Sequence, residues 1–186
     1  DWKNKRIKNE KEMFIMKLRK NILTTLLLAI GFILHQITPG ILGGMKFDFL
    51  LIFMIVSLLL NPKFENVMFT GLLAGLLSAM TTSFPGGQLP NIIDKMVACL
   101  ILFVIIKFFY QFKNNSIVVG VIGGIGTFIS GTVFLGSARL MVGLPVPMNV
   151  LMRAVVLPTT LINGIGIVFI YGLVRRAIKL SGITSC

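Results

Sequence analysis

The chain is short of acids, histidine and cysteine, and each shortage closes off some chemistry. Six Asp or Glu stand against 18 Lys or Arg in 186 residues, with a single His. No Gly-xxxx-Gly-Lys-Ser/Thr loop is present, so nucleotide hydrolysis by that route is excluded and energy for any work must come from elsewhere. His-Glu-xx-His and Gly-x-Ser-x-Gly are also missing, which makes an enzyme a poor reading; no catalytic residue and no cofactor are expected. Cys99 lies inside an apolar run and Cys186 is the last residue, a pair that offers neither a disulfide framework nor metal-ligand spacing. No metal site is expected.

What the chain has in abundance is grease. With 55% hydrophobic residues, 13% charged residues and a mean hydropathy of +0.93, it is too apolar for an ordinary soluble domain and belongs in a lipid bilayer. The formal charge of +12 raises nucleic acid as a partner. The basic residues crowd into ends and short connections instead of forming a face beside exposed aromatics, so no nucleic acid is expected. Six apolar segments, 22–38, 47–60, 67–83, 92–112, 117–143 and 151–173, predict an all-α membrane protein with six transmembrane helices. The second is the shortest and needs its flanks to span.

Residues 1–21 form a basic leader with eight Lys or Arg and no small-residue cleavage pattern, read as a retained cytoplasmic segment. The chain opens on Asp1, and Met13 or Met16 would serve as a start, so the first dozen residues are expected to be non-native. Residues 22–173 are the transmembrane domain and 174–186 a cytoplasmic tail. Placing the leader inside puts 14 of the 18 basic residues inside, the asymmetry expected of a plasma-membrane protein with both termini cytoplasmic. Tyr110 and Tyr171 then fall at inner span ends, at headgroup level. Small residues at fourfold spacing, in Gly71-xxx-Gly75-xxx-Ala79, Gly120-xxx-Gly124 and Gly126-xxx-Ser130, predict close helix packing within the bundle. Thr25-xxx-Ala29 in the first span admits either packing or partner docking.

The remaining basic residues, Lys46, Lys95, Arg139 and Arg153, all fall at outer span ends, together with Asp48, Asp94 and His35. Pro90 and Asn91 mark a helix start, which would place Asp94 and Lys95 in its first turn and make Asn91 with Asp94 a capping-box pattern. Capping and ligand binding both account for Asp48 and Asp94, and Arg139 suits a helix C-terminus. Arg153 does not. In the first turn of the last span the dipole opposes a cation, so Arg153 should need an anionic partner, either Asp94 or a ligand carboxylate. A lone histidine such as His35 is more often a packing residue than a ligand. Cations beside converging helix N-termini, with acids adjacent, suit a small zwitterion, and Phe47, Phe49, Phe84, Phe134, Met45 and Met141 offer an apolar wall.

Several strings carry a family resemblance. Leu-Leu-Leu-Ala-Ile-Gly at 26–31, His35, Gly43-Gly44-Met45-Lys46-Phe47-Asp48, the run Thr-Thr-Ser-Phe-Pro-Gly-Gly-Gln-Leu-Pro-Asn-Ile-Ile-Asp-Lys at 81–95, and Val155-Val156-Leu157-Pro158 with Asn163 resemble the bacterial tryptophan transport protein family. That family is similar to the substrate-binding (S) components of energy-coupling factor transporters. The resemblance covers residues 17–176. It implies a six-helix S component with an outer pocket capped by loops 39–46, 84–91 and 144–150, working with a T component and two ATP-binding-cassette ATPases.

The ligand implied is L-tryptophan. Arg153 with Lys46 or Lys95 would hold its carboxylate and Asp94 or Asp48 its ammonium. Phe84, Phe47 and His35 would border the indole, while Arg139, Gln88, Asn91 and Asn163 complete the expected site. The family's docking motif would fall on Thr25 and Ala29, with Thr a departure from the usual Ala. Composition alone leaves open another small ligand such as a vitamin, a structural membrane protein whose charges only cap helices, and a solitary carrier.

Overall fold

Ten consecutive residues, Leu50 to Leu59, are buried on every side, and Ser57 is the only polar one among them. A helix that is apolar all round belongs in the middle of other helices. This is α2 (Phe49–Leu60), and it packs against all five other long helices in the computed structural model. The structure describes residues 2–40 and 42–180; Asp1, Ile41 and the end of the expected tail, with Cys186, lie outside them. At 12 residues α2 rises about 18 Å, well short of a bilayer core. The rest of that crossing is made by a 3₁₀ turn, Leu42–Gly44, and the irregular residues that lead into Asp48.

Around α2 stand α1 (Trp2–Ile37), α3 (Phe64–Thr81), α4 (Gln88–Phe108), α5 (Ser116–Met141) and α6 (Met148–Leu180). All six crossings are long and apolar enough to span a membrane, and the chain is a multi-span helical bundle. An even number returns the chain to the side it started from. We call the end holding the α1–α2, α3–α4 and α5–α6 connections the upper end. The other, with the α2–α3 and α4–α5 connections, is the lower end. Helix α1 runs without a break through residues of the expected basic leader.

The starts of α4 and α6 depart from the sequence expectation in ways that bear on the site. Helix α4 starts at Gln88, capped by Gly87, so Pro90 sits inside its first turn. Proline is tolerated there because the first N–H groups of a helix have no intrahelical partner. Asn91 and Asp94 therefore form no capping box. Instead, Asn91 lies within the helix and its Nδ2 donates to Gly87 O at 2.8 Å. Asp94 and Lys95 fall in the second turn, about 9 Å along the axis from Gln88. The start of α6 is also irregular, with a π-helical stretch over Met152–Val156.

Small residues set the helix spacing. A Cβ on Gly75 would lie 3.1 Å from the Cα of Ile92, and one on Gly71 would lie 3.2 Å from Cys99 Cβ, so α3 and α4 touch nearly backbone to backbone. Gly126 admits Leu102 and Ile55, and Gly120 faces Gly164 and Val168. The bundle-packing reading of these motifs holds. At the lower end, Thr24 Oγ1 donates to Asn66 Oδ1 at 2.9 Å, Ser57 Oγ donates to Thr24 Oγ1 at 2.9 Å, and Asn66 Nδ2 donates to Asn61 O at 2.9 Å. These buried bonds tie α1, α2 and α3 together in an otherwise apolar core.

Candidate functional site

Asp48 ends the irregular approach to α2 and serves as its N-cap, with Oδ1 accepting from Leu51 N at 3.1 Å. That fixes the carboxylate. Its second oxygen, Oδ2, accepts from Lys95 Nζ of α4 at 2.5 Å. Lys95 is 1% exposed and spends its other donors on Asp94 Oδ2 at 2.5 Å and on Ser130 Oγ of α5 at 3.3 Å. Ser130 Oγ in turn donates to Asp94 Oδ2 at 2.9 Å. Two carboxylates and one ammonium thus meet among three helices with one formal negative charge in excess.

One oxygen carries that excess openly. Asp94 is 1% exposed, yet among the described residues its Oδ1 has no hydrogen-bond partner, and neither has the buried Nδ1 of His35, which lies 3.6 Å from Asp48 Oδ1. A buried acceptor on a charged group left unpaired costs on the order of 1–3 kcal/mol or more. Asp94 and His35 both line a cavity of about 60 Å³ under the upper end of the bundle. Lys46, half-buried on the same lining, donates to Thr81 O at 2.9 Å and His35 O at 3.5 Å. It has no carboxylate partner among the described residues. Net negative charge and a separate cation therefore share one hollow.

The rest of the lining is apolar and aromatic. Phe84 and Phe134 meet edge to face with centroids 5.3 Å apart, and Val155 and Val156 come from the π-helical stretch of α6. The roof is made of loops that interlock through glycine. Gly44 has φ +82°, and a Cβ there would lie 2.5 Å from Ser83 O. Gly86, with φ +68°, accommodates Val142 past the end of α5. The α1–α2 and α3–α4 connections line the cavity, and the α5–α6 connection packs against them at Gly43 and Gly86.

Of the residues expected from the sequence, His35, Lys46, Asp48, Phe84, Asn91, Asp94 and Lys95 line this cavity. Asn163 lies just beneath it, its Nδ2 donating to Asp48 O at 3.1 Å and to the lining residue Thr127 at 3.3 Å. Phe47, Gln88, Arg139 and Arg153 are not on the lining. Gln88, Arg139 and Arg153 are exposed, and Arg153 pairs with no acid among the described residues. Asp94 is taken by Lys95 instead. Thr127, Ser130 and Thr159 were not anticipated in the site. With Phe134, the first two follow a spacing of three and four along α5, which puts them on one face; that periodicity was their available signal.

Comparison with known proteins decides the family. The family described as "Tryptophan transporter TrpP" matches residues 17–179. The chain belongs to this family. Among its relatives is a "Probable tryptophan transport protein" of Clostridium acetobutylicum, 45% identical over 165 residues, covering 89% of this chain and 96% of the relative. A protein of the same description from Bacillus subtilis is 43% identical over 166 residues, with the same coverage. Another, from Clostridium perfringens, is 38% identical over 166 residues, covering 84% of this chain and 91% of the relative. No solved structure matches the chain. Family membership and the six-span bundle together support a transport role.

Proposed function

We propose that the chain takes up L-tryptophan across the plasma membrane, with the upper end outside, both termini in the cytoplasm, and the cavity under the upper loops as its ligand site. The observation that carries this reading is that Asp94, whose buried Oδ1 is unpartnered among the described residues, lines the same hollow as Lys46. A zwitterion complements both. Its ammonium binds Asp94 Oδ1, its carboxylate takes the remaining donor capacity of Lys46, and the indole lies against Phe84 and Phe134. Asp48, Lys95 and Ser130 hold Asp94 in place, and Asn163 braces Asp48 from below through its backbone carbonyl.

The cavity as it stands has room for on the order of four waters. Loading widens the hollow where the roof loops meet, at the close approach of Gly44 to Ser83. For the energy source we propose coupling to a T component and two ATP-binding-cassette ATPases, with this chain as the substrate-binding component. The absent phosphate loop supports that division of labour. So does α1, whose Thr25 and Ala29 are both exposed on a face apart from the core.

Calorimetric titration of the purified protein with tryptophan, tryptamine, indole-3-propionate, thiamine, riboflavin and biotin tests the ligand. Tryptophan should bind best, tryptamine measurably, and indole-3-propionate, which lacks the ammonium, least. Preferential binding of a vitamin would replace tryptophan as the ligand. Binding of nothing would make the cluster a structural brace. Uptake by cells lacking any T component would overturn the coupling.

A further inference from the structure

The lower end holds a second built feature that the transport reading does not use. Between the start of α5 and the last turns of α6 lies a groove of about 280 Å³ whose rim carries Lys113, Arg175, Arg176 and Lys179. No acid lines it, and after Asp94 the sequence contains none at all. The other large lower groove, between α1, α3 and α4, differs on this point. There Glu65 joins the lining and takes Lys17 at 2.7 Å.

Two of the rim cations are positioned by tyrosine. Lys113 Nζ stands 4.0 Å from the ring centroid of Tyr110 and donates to its hydroxyl at 2.7 Å, and the Arg175 guanidinium lies 5.5 Å over Tyr171. Tyrosine at such a level marks the boundary between hydrocarbon and headgroups. Below the rim the lining turns apolar at Val119 of α5 and Val168 of α6, where the two helices close on one another at Gly120. A cationic rim over an apolar cleft fits a phosphate joined to an acyl chain better than a free one.

We propose that this groove is a binding site for the phosphate headgroup of an anionic phospholipid, with the glycerol end of its acyl chains against Val119 and Val168 at the apolar floor. The four cations supply the charge selectivity, and the valines supply the preference for a lipid over soluble phosphate. Each basic residue near such a surface contributes about fivefold in affinity, so removing three should weaken retention by about a hundredfold.

The test is native mass spectrometry of the full chain from detergent, supplied with phosphatidylglycerol or phosphatidylcholine. Wild type should retain phosphatidylglycerol selectively, and K113Q/R175Q/R176Q should lose that selectivity. K17Q/K20Q/K63Q, which removes equal charge from the other groove, should keep it. Arg175→Gln alone, expected to weaken retention about fivefold, serves if the triple variant does not fold. Equal retention of both lipids by wild type, or equal losses in the two triple variants, would overturn the site. Displacement of the lipid by millimolar inorganic phosphate would identify a soluble phosphate site and overturn the lipid assignment.

Discussion

Lys95→Met is the sharpest perturbation of the upper cluster. Methionine nearly preserves the volume of the side chain, so the change isolates the ammonium. Lys95 Nζ is the shared partner of Asp48 and Asp94, each at 2.5 Å, and it is 1% exposed. Without it, two carboxylates face one another with no cation between them. Removing one member of a buried pair costs about 3–5 kcal/mol, chiefly because the charge left behind has neither water nor partner. Asp94→Asn is the comparison, since it leaves a neutral pair of Asp48 with Lys95 and gives up a charged hydrogen bond worth about 1.5–3 kcal/mol. Reversible denaturation of the purified protein in mild detergent should rank wild type above Asp94→Asn and Asp94→Asn above Lys95→Met. The double variant Lys95→Met/Asp94→Asn should recover at least about 1 kcal/mol relative to the sum of the single changes. A Lys95→Met protein within about 1 kcal/mol of wild type would refute the reasoning, because the carboxylates would then not depend on that cation.

Three further perturbations separate the parts of the structure. Gly44→Ala forces a Cβ to within 2.5 Å of Ser83 O at a positive φ, and should destabilise the roof by about 1–2 kcal/mol, read as faster proteolysis of the upper loops. Arg153→Gln, at an exposed position off the lining, should leave tryptophan affinity within about twofold of wild type in the same titration. Asn66→Ala removes the hub of the lower network and strands Thr24 and the Asn61 carbonyl, costing about 1–3 kcal/mol in thermal unfolding without altering tryptophan affinity.

The spans were legible because long apolar runs have few alternatives, and the small-residue motifs foretold where helices touch. Their exact starts were less so. Pro90 reads as a helix start, but the helix had already begun two residues earlier, because a first-turn proline costs no hydrogen bond. The grouping of charge at one end was also visible from span direction. Which cation meets which anion was not, since that depends on the depth and rotation of α2, α4 and α5. Lys95 lies two residues further into its helix than a start at Pro90 suggests and reaches both acids, whereas Arg153 lies on the exposed side of the π-helical turn. Ser130 was read as a spacer, and it is one: its small size also brings its hydroxyl within 2.9 Å of Asp94.

The most direct test of the ligand site compares L-tryptophan titrations of wild type and Asp94→Asn, side by side, on protein verified as folded. With the ammonium held by Asp94 Oδ1, the dissociation constant should rise roughly ten- to hundredfold in the variant, the equivalent of one charge-assisted hydrogen bond. An unchanged dissociation constant would place the tryptophan ammonium elsewhere and contradict the assignment of this cavity.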